Sequence, residues 1–199
     1  MATNAVRVAG KTRPRLDRDV RSVILVAYSV LFVVGCSSGG GDEATPSMEV
    51  EDHYASYAAA VCELQLQQLD DELAVVQAAG ARLNADSVEV RRAAALEMFA
   101  SLTAGSSAFA EALGALVPPS DGAFQAVLLD GEAEHRKVLD QAGASTDTAE
   151  THEELDASFE AYVSWLEVGP GTADRAFAQA TEDLQRAISV SPVCDELFD

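Results

Sequence analysis

The chain has 199 residues, carries 13 basic against 33 acidic side chains for a net charge of −20, and is 48% hydrophobic but only 6% aromatic. So acidic a balance excludes the electrostatic footprint of a nucleic-acid binder and repels anionic headgroups, because both partners are polyanions. The length suits one domain with a real core and is short for two.

Residues 1–35 have the three parts of a secretory signal. Arg7, Lys11, Arg13, Arg15, Arg18 and Arg21 make a basic start, offset only by Asp17 and Asp19. Val23 to Val34 is apolar, and Gly35 is the small residue ahead of a cleavage point. The apolar run falls short of the roughly 20 residues that a bilayer-spanning helix needs. Ser37-Ser38-Gly39-Gly40-Gly41-Asp42 follows it, where a stop-transfer anchor would carry a basic flank. The basic side stays in the cytoplasm, so the remainder is expected to be exported. Pro14 splits Arg13 from Arg15, which points to the general export route for an unfolded chain.

Val33-Val34-Gly35-Cys36 resembles the lipobox of bacterial lipoproteins, in which an aliphatic residue, a small or aliphatic one and Gly, Ala or Ser precede a Cys. The resemblance implies cleavage before Cys36 and a diacylglyceryl group in thioether linkage on its sulfur. A further acyl chain such as palmitate often follows on the new N-terminus. Two or more acyl chains anchor stably, where one binds only marginally. The implied address is the cell membrane, lipid-anchored, with the domain on the extracytoplasmic side. Ser37 stands where some two-membrane bacteria place an Asp that retains such proteins in the inner membrane.

Removing the leader leaves 164 of the 199 residues, with seven basic and 31 acidic side chains, or −24. Residues 36–50 read as the lipidated Cys plus a flexible tether rich in Ser, Gly, Asp and Glu. Residues 51–199 read as the folded domain. With Cys36 lipidated, Cys62 and Cys194 remain, and an oxidising compartment favours a disulfide between them over two buried thiols. A bridge across so long a loop would stabilise by roughly 4–5 kcal/mol in the chain-entropy model.

From Glu51 the apolar residues recur at spacings of three and four, which predicts helices. The first spans about 51–79, with Ala58, Cys62, Leu66, Leu69, Leu73 and Val76 on one stripe and Gly80 as its stop. A second, capped by Asp86 or Ser87, runs to about Val117 and ends at Pro118-Pro119. Gly105-Ser106-Ser107 suggests a bend or a close helix contact in its middle. The third starts near Ser120 or Asp121 and stops at a loop over 143–147, with Gly131 weakening its centre by about 1 kcal/mol. A fourth spans 148–168, Gly169-Pro170-Gly171 breaks the chain, and a fifth, starting at Thr172 or Asp174 and carrying Phe177, Ala180, Leu184 and Ile188, ends before Pro192. No segment alternates with period two, so the expected fold is all-α: an antiparallel bundle of four to five helices with short loops.

Chemistry-bearing patterns are few. Glu132 and His135 sit at i, i+3, the spacing that carboxylate-bridged metal bundles use twice. Here it occurs once, so the two are candidate metal ligands or, more simply, part of a solvated face beside Arg136 and Lys137. Asp70-Asp71-Glu72 and Glu153-Glu154 read as solvated carboxylate runs. No Gly-rich phosphate loop, serine nucleophile elbow or HExxH motif appears, so no catalytic residue and no cofactor is assigned. Phe159, Tyr162 and Trp165 on the fourth helix fill the core or wall an apolar pocket. The layout is similar to exported helical lipoproteins of high-GC bacteria without an assigned activity. The expected function is a lipid-anchored envelope protein whose non-catalytic bundle binds a partner protein or small ligand, with a metal-binding bundle using Glu132 and His135 as the alternative.

Overall fold

Local signals explain most of the helix boundaries in the computed structural model, which describes residues 48–168 and 171–195. The leader, Cys36, the tether through Ser47, the Gly169-Pro170 pair and residues 196–199 lie outside the described residues. Helix α1 covers Met48–Leu83, so it opens three residues inside the expected tether and passes straight through Gly80. Its end is set instead by Asn84, whose side-chain amide donates to the Gly80 carbonyl at 2.9 Å and satisfies an otherwise orphaned acceptor. Helix α2 covers Val88–Ala115, and the Ser87 hydroxyl accepts from the Val90 amide at 3.3 Å as its N-cap. It is unbroken at Gly105-Ser106-Ser107, where nothing lies within 4 Å of a Gly105 Cβ, and the close helix contact comes at Ser106, which is fully buried and donates to Glu132 of the next helix at 2.7 Å.

Helix α3, Ala123–Thr148, continues through the 143–147 stretch where the sequence predicts a loop. Buried Ala142, Thr146 and Ala149 hold it there, and packing of that kind offsets the intrinsic cost of about 1 kcal/mol for one helical Gly. Gln125, near the start of α3, reaches back to cap α2 by donating to the carbonyls of Leu113 and Leu116. Helix α4, His152–Val168, begins later than predicted because Thr151 and Glu154 form a capping box. The Glu154 carboxylate accepts from the Glu150 amide at 2.8 Å and the Thr151 amide at 3.0 Å, and the Thr151 hydroxyl accepts from the Glu154 amide at 3.2 Å. Those bonds, led by the one from Glu150, hold the Glu154 carboxyl below the usual carboxylate range. The predicted fifth helix is two, α5 over Thr172–Gln179 and α6 over Glu182–Val190. Thr181 caps α6 through the Leu184 amide at 3.3 Å, while Gln185 turns back to the Phe177 and Ala180 carbonyls that end α5. A final turn, α7, covers Pro192–Asp195.

The four long helices run up and down in sequence order as an all-α antiparallel bundle, with α5–α7 closing one end. The order of buried residues along each helix shows the alternation. One apolar cluster joins Tyr57, Val61 and Cys62 of α1 to Phe109 and Leu113 of α2, Phe124 and Leu128 of α3, and Leu184 and Ile188 of α6. The other joins Ala79 and Leu83 of α1 to Met98, Phe99 and Leu102 of α2, Leu139 of α3, and Phe159 and Leu166 of α4. Cys62 and Cys194 are both buried and bridged, with sulfurs 2.10 Å apart and Cα atoms 5.2 Å apart across 132 residues. The bridge pins α7 onto α1.

Gly131 reverses its expected sign. A Cβ there would fall within 3.0 Å of three side-chain atoms of Thr172, the first residue of α5. The glycine therefore lets the α5 start rest on α3, and its helix-propensity cost is outweighed by this close approach.

Two predictions follow from the packing. Replacing Gly131 by Ala lowers stability by about 1–3 kcal/mol through overpacking, whereas Gly80→Ala, with open space around it, raises stability by about 0.5–1 kcal/mol; urea denaturation of both variants checks the opposite signs. Replacing both Cys62 and Cys194 by Ala costs about 2–5 kcal/mol, read from denaturation curves of the double variant and of oxidised and reduced wild type.

Candidate functional site

Between the two apolar clusters the core becomes polar. On α3 the inward slots recur at 124, 128, 131, 135, 139, 142 and 146, and His135 takes the middle one with 4% exposure. On α1, Gln68 and Glu72 occupy inward slots below Ala79 and Leu83, and Glu72 is 4% exposed. On α2, Ser106 falls between Leu102 and Phe109 and is fully buried. The solvated faces expected for His135 and Glu72 are therefore corrected: Asp70 and Asp71 do face solvent, but Glu72 turns inward.

The side chains of this layer satisfy one another. Glu132 Oε2 accepts from the Ser106 hydroxyl at 2.7 Å and from the Gln68 amide at 3.3 Å. The same Gln68 nitrogen donates to Glu72 Oε1 at 2.9 Å. His135 presents Nδ1 to Glu132 Oε2 at 3.8 Å and lies 3.2 Å from Tyr162 Oη through Nε2. Burial, reinforced by the Glu72 and Glu132 carboxylates, pushes the Tyr162 phenol far above its ordinary range. It stays protonated, and its hydroxyl can donate to a neutral imidazole. The two rings are nearly parallel, 8° apart with centroids at 6.0 Å, and stack beside that contact. The indole of Trp165 lies parallel to the imidazole, 9° apart at 5.2 Å.

Glu132 and His135 are thus brought together as their spacing suggested. The pair is occupied with hydrogen bonds inside the core, and among the described residues no group of three His, Cys, Asp or Glu is placed to hold a metal ion. The row carboxylate, imidazole, phenol lies inside the core, with the imidazole at its centre buried. Sequence reading passed over Gln68, set Glu72 on a solvated face and took Ser106 only as part of a bend or close helix contact. Their signal was polar character in core-facing slots on three helices at one level.

Openings flank the layer on two sides. A cleft of about 240 Å³ between α1 and α2 is lined by Leu64, Val75, Leu102 and Phe109 and reaches Gln68 and Glu72. A larger groove of about 570 Å³ runs between α3 and α4. Its walls are Val138, Gln141 and Ser145 on one side and Ala157, Ser158 and Ala161 on the other, with Tyr162 and Trp165 at one end. Small side chains on both facing helices leave this space unfilled. At its other end the α3–α4 corner is clamped to α2. Arg91 pairs with Asp156, and Arg92 donates to the Ala149 carbonyl at 3.1 Å. His152 sits at 2.9 Å from the Asp86 carbonyl through Nε2, so that nitrogen carries the proton and Nδ1 is left to face Arg91 Nη1 at 3.4 Å as acceptor.

The polar layer yields one prediction. Glu132→Leu alone strands the Ser106 hydroxyl, while the Gln68 amide keeps Glu72, and costs about 2–4 kcal/mol, whereas Ser106→Ala and Glu132→Leu together recover most of that loss. Denaturant unfolding of the single and double variants measures the difference. In comparisons with known proteins, no family model matches the chain, and no curated protein or solved structure matches it either.

Proposed function

We propose that this chain is a lipid-anchored cell-envelope protein whose helical domain binds a small ligand in the groove between α3 and α4. The groove carries this reading. Its volume of about 570 Å³ falls within the roughly 300–1,000 Å³ of small-molecule sites, and an aromatic pair closes one end of walls made of small residues. The anchor rests on Val33-Val34-Gly35-Cys36 after a basic and apolar leader. The disulfide agrees with an oxidising compartment, and no described helix is long and apolar enough to cross a membrane.

An anchor at Cys36 would enter the domain at the Met48 end of α1, beside the cluster around Tyr57 and Cys62. The groove lies alongside the other cluster, beyond the polar layer, on a bundle whose first helix of 36 residues is about 54 Å long.

Two measurements test the proposal. Metabolic labelling with a fatty acid should mark the wild type, and Cys36→Ala should lose the label and leave the membrane fraction. Thermal-shift screening of small molecules should find stabilising compounds for the wild type that no longer stabilise Ala161→Phe, in which the groove is filled from an exposed position. An unlabelled, freely soluble wild type removes the anchor; hits that persist in Ala161→Phe remove the groove.

A further inference from the structure

Residues 138–168 supply both walls of the groove, and this stretch contains eight Asp and Glu residues without one Lys or Arg. Arg91 and Arg92 reach it from α2 only at the α3–α4 corner, on Asp156 and the Ala149 carbonyl. The basic residues just before it, Arg136 and Lys137, stand on the turn of α3 level with the polar layer, and Arg136 Nη1 donates to the Ser106 carbonyl on α2 at 3.5 Å. The lining itself has one charged side chain, the Glu154 carboxylate. A ligand in the groove therefore sits in a negative field, and the half-buried indole of Trp165 offers a ring whose face attracts cations. Val138, Ala157 and Ala161 provide apolar surface for the rest of the ligand.

We propose that the ligand of the α3–α4 groove is a small amphipathic cation, an ammonium group carried on an apolar body. This rests on the groove being a ligand site. The ammonium group lies within the acidic frame of 138–168 and the apolar body lies along the alanine walls against Trp165. An anion of the same shape is repelled, and a neutral analogue keeps only the apolar contact.

Trp165 is the chain's single tryptophan, so its fluorescence reports the groove directly. The full mature chain in non-ionic detergent is titrated with 4-phenylbutylammonium, 4-phenylbutanol and 4-phenylbutyrate, which share one body and differ in charge. The ammonium probe is expected to change Trp165 emission saturably and to bind about tenfold more tightly than the alcohol, while the carboxylate gives no saturable change. Raising the salt concentration erodes the advantage of the ammonium probe and leaves the alcohol unaffected. Ala161→Phe abolishes the response. An alcohol that binds as tightly as the ammonium, or a carboxylate that binds at all, overturns the choice of cation while leaving the groove as a ligand site. No response to any of the three also overturns it, and the groove then stands or falls on the thermal-shift screen. A response that survives in Ala161→Phe places the probe elsewhere and removes both.

Discussion

The hydrogen bonds that Glu132 receives from Ser106 and Gln68 tie α3 to α2 and α1 at one level of the bundle. An acceptor buried among apolar neighbours tolerates little displacement, because a lost partner exposes its full desolvation cost. Sliding α3 by one turn would bring Glu132 and His135 against apolar residues and pull Leu128 or Leu139 into the polar layer. The layer thus acts as a register mark: apolar packing above and below supplies stability, and the polar contacts choose one alignment from those that packing alone would accept. The Arg91–Asp156 pair performs the same service for the start of α4.

The register has a consequence for the grooves. With α3 held to α1 and α2, its opposite face meets α4 through Ala and Ser side chains that are too small to fill the gap between them. Tyr162 and Trp165 lean onto His135 and so belong at once to the polar layer and to the groove wall. Anything that entered the groove against Trp165 would be one ring removed from the Glu132 network.

Much of this was readable in the sequence, and the misses have physical causes. The order of the four long helices and the fold class follow from apolar spacing, and Ser87, Pro118-Pro119, Cys62 and Cys194 signal what they should, whereas the split of the last predicted helix at Ala180-Thr181 goes unmarked. Gly80 and Gly143 misled because a glycine stops a helix only where no tertiary contact holds the next turn. Buried Leu83 and Thr146 lie beyond them and do hold it. His135 was misplaced because Arg136 and Lys137 beside it suggested a solvated face. The decisive pattern was the slot series 128, 131, 135, 139, in which residue type is secondary to position. Gly131 was priced from propensity alone, and its real role depends on Thr172, a residue 41 positions away that no local rule connects to it. The grooves were illegible for a similar reason. Whether facing alanines leave space depends on how far apart their helices are held.

The Cys62–Cys194 bridge spans nearly the whole folded chain, and it does more than tighten the bundle. A protease cut shows how. A nick in any loop from α1 to α7 leaves two pieces that are still covalently one molecule, with the far piece leashed to α1. Cleavage then becomes a wound that the bundle can close over, because neither fragment can diffuse away from its packing partner.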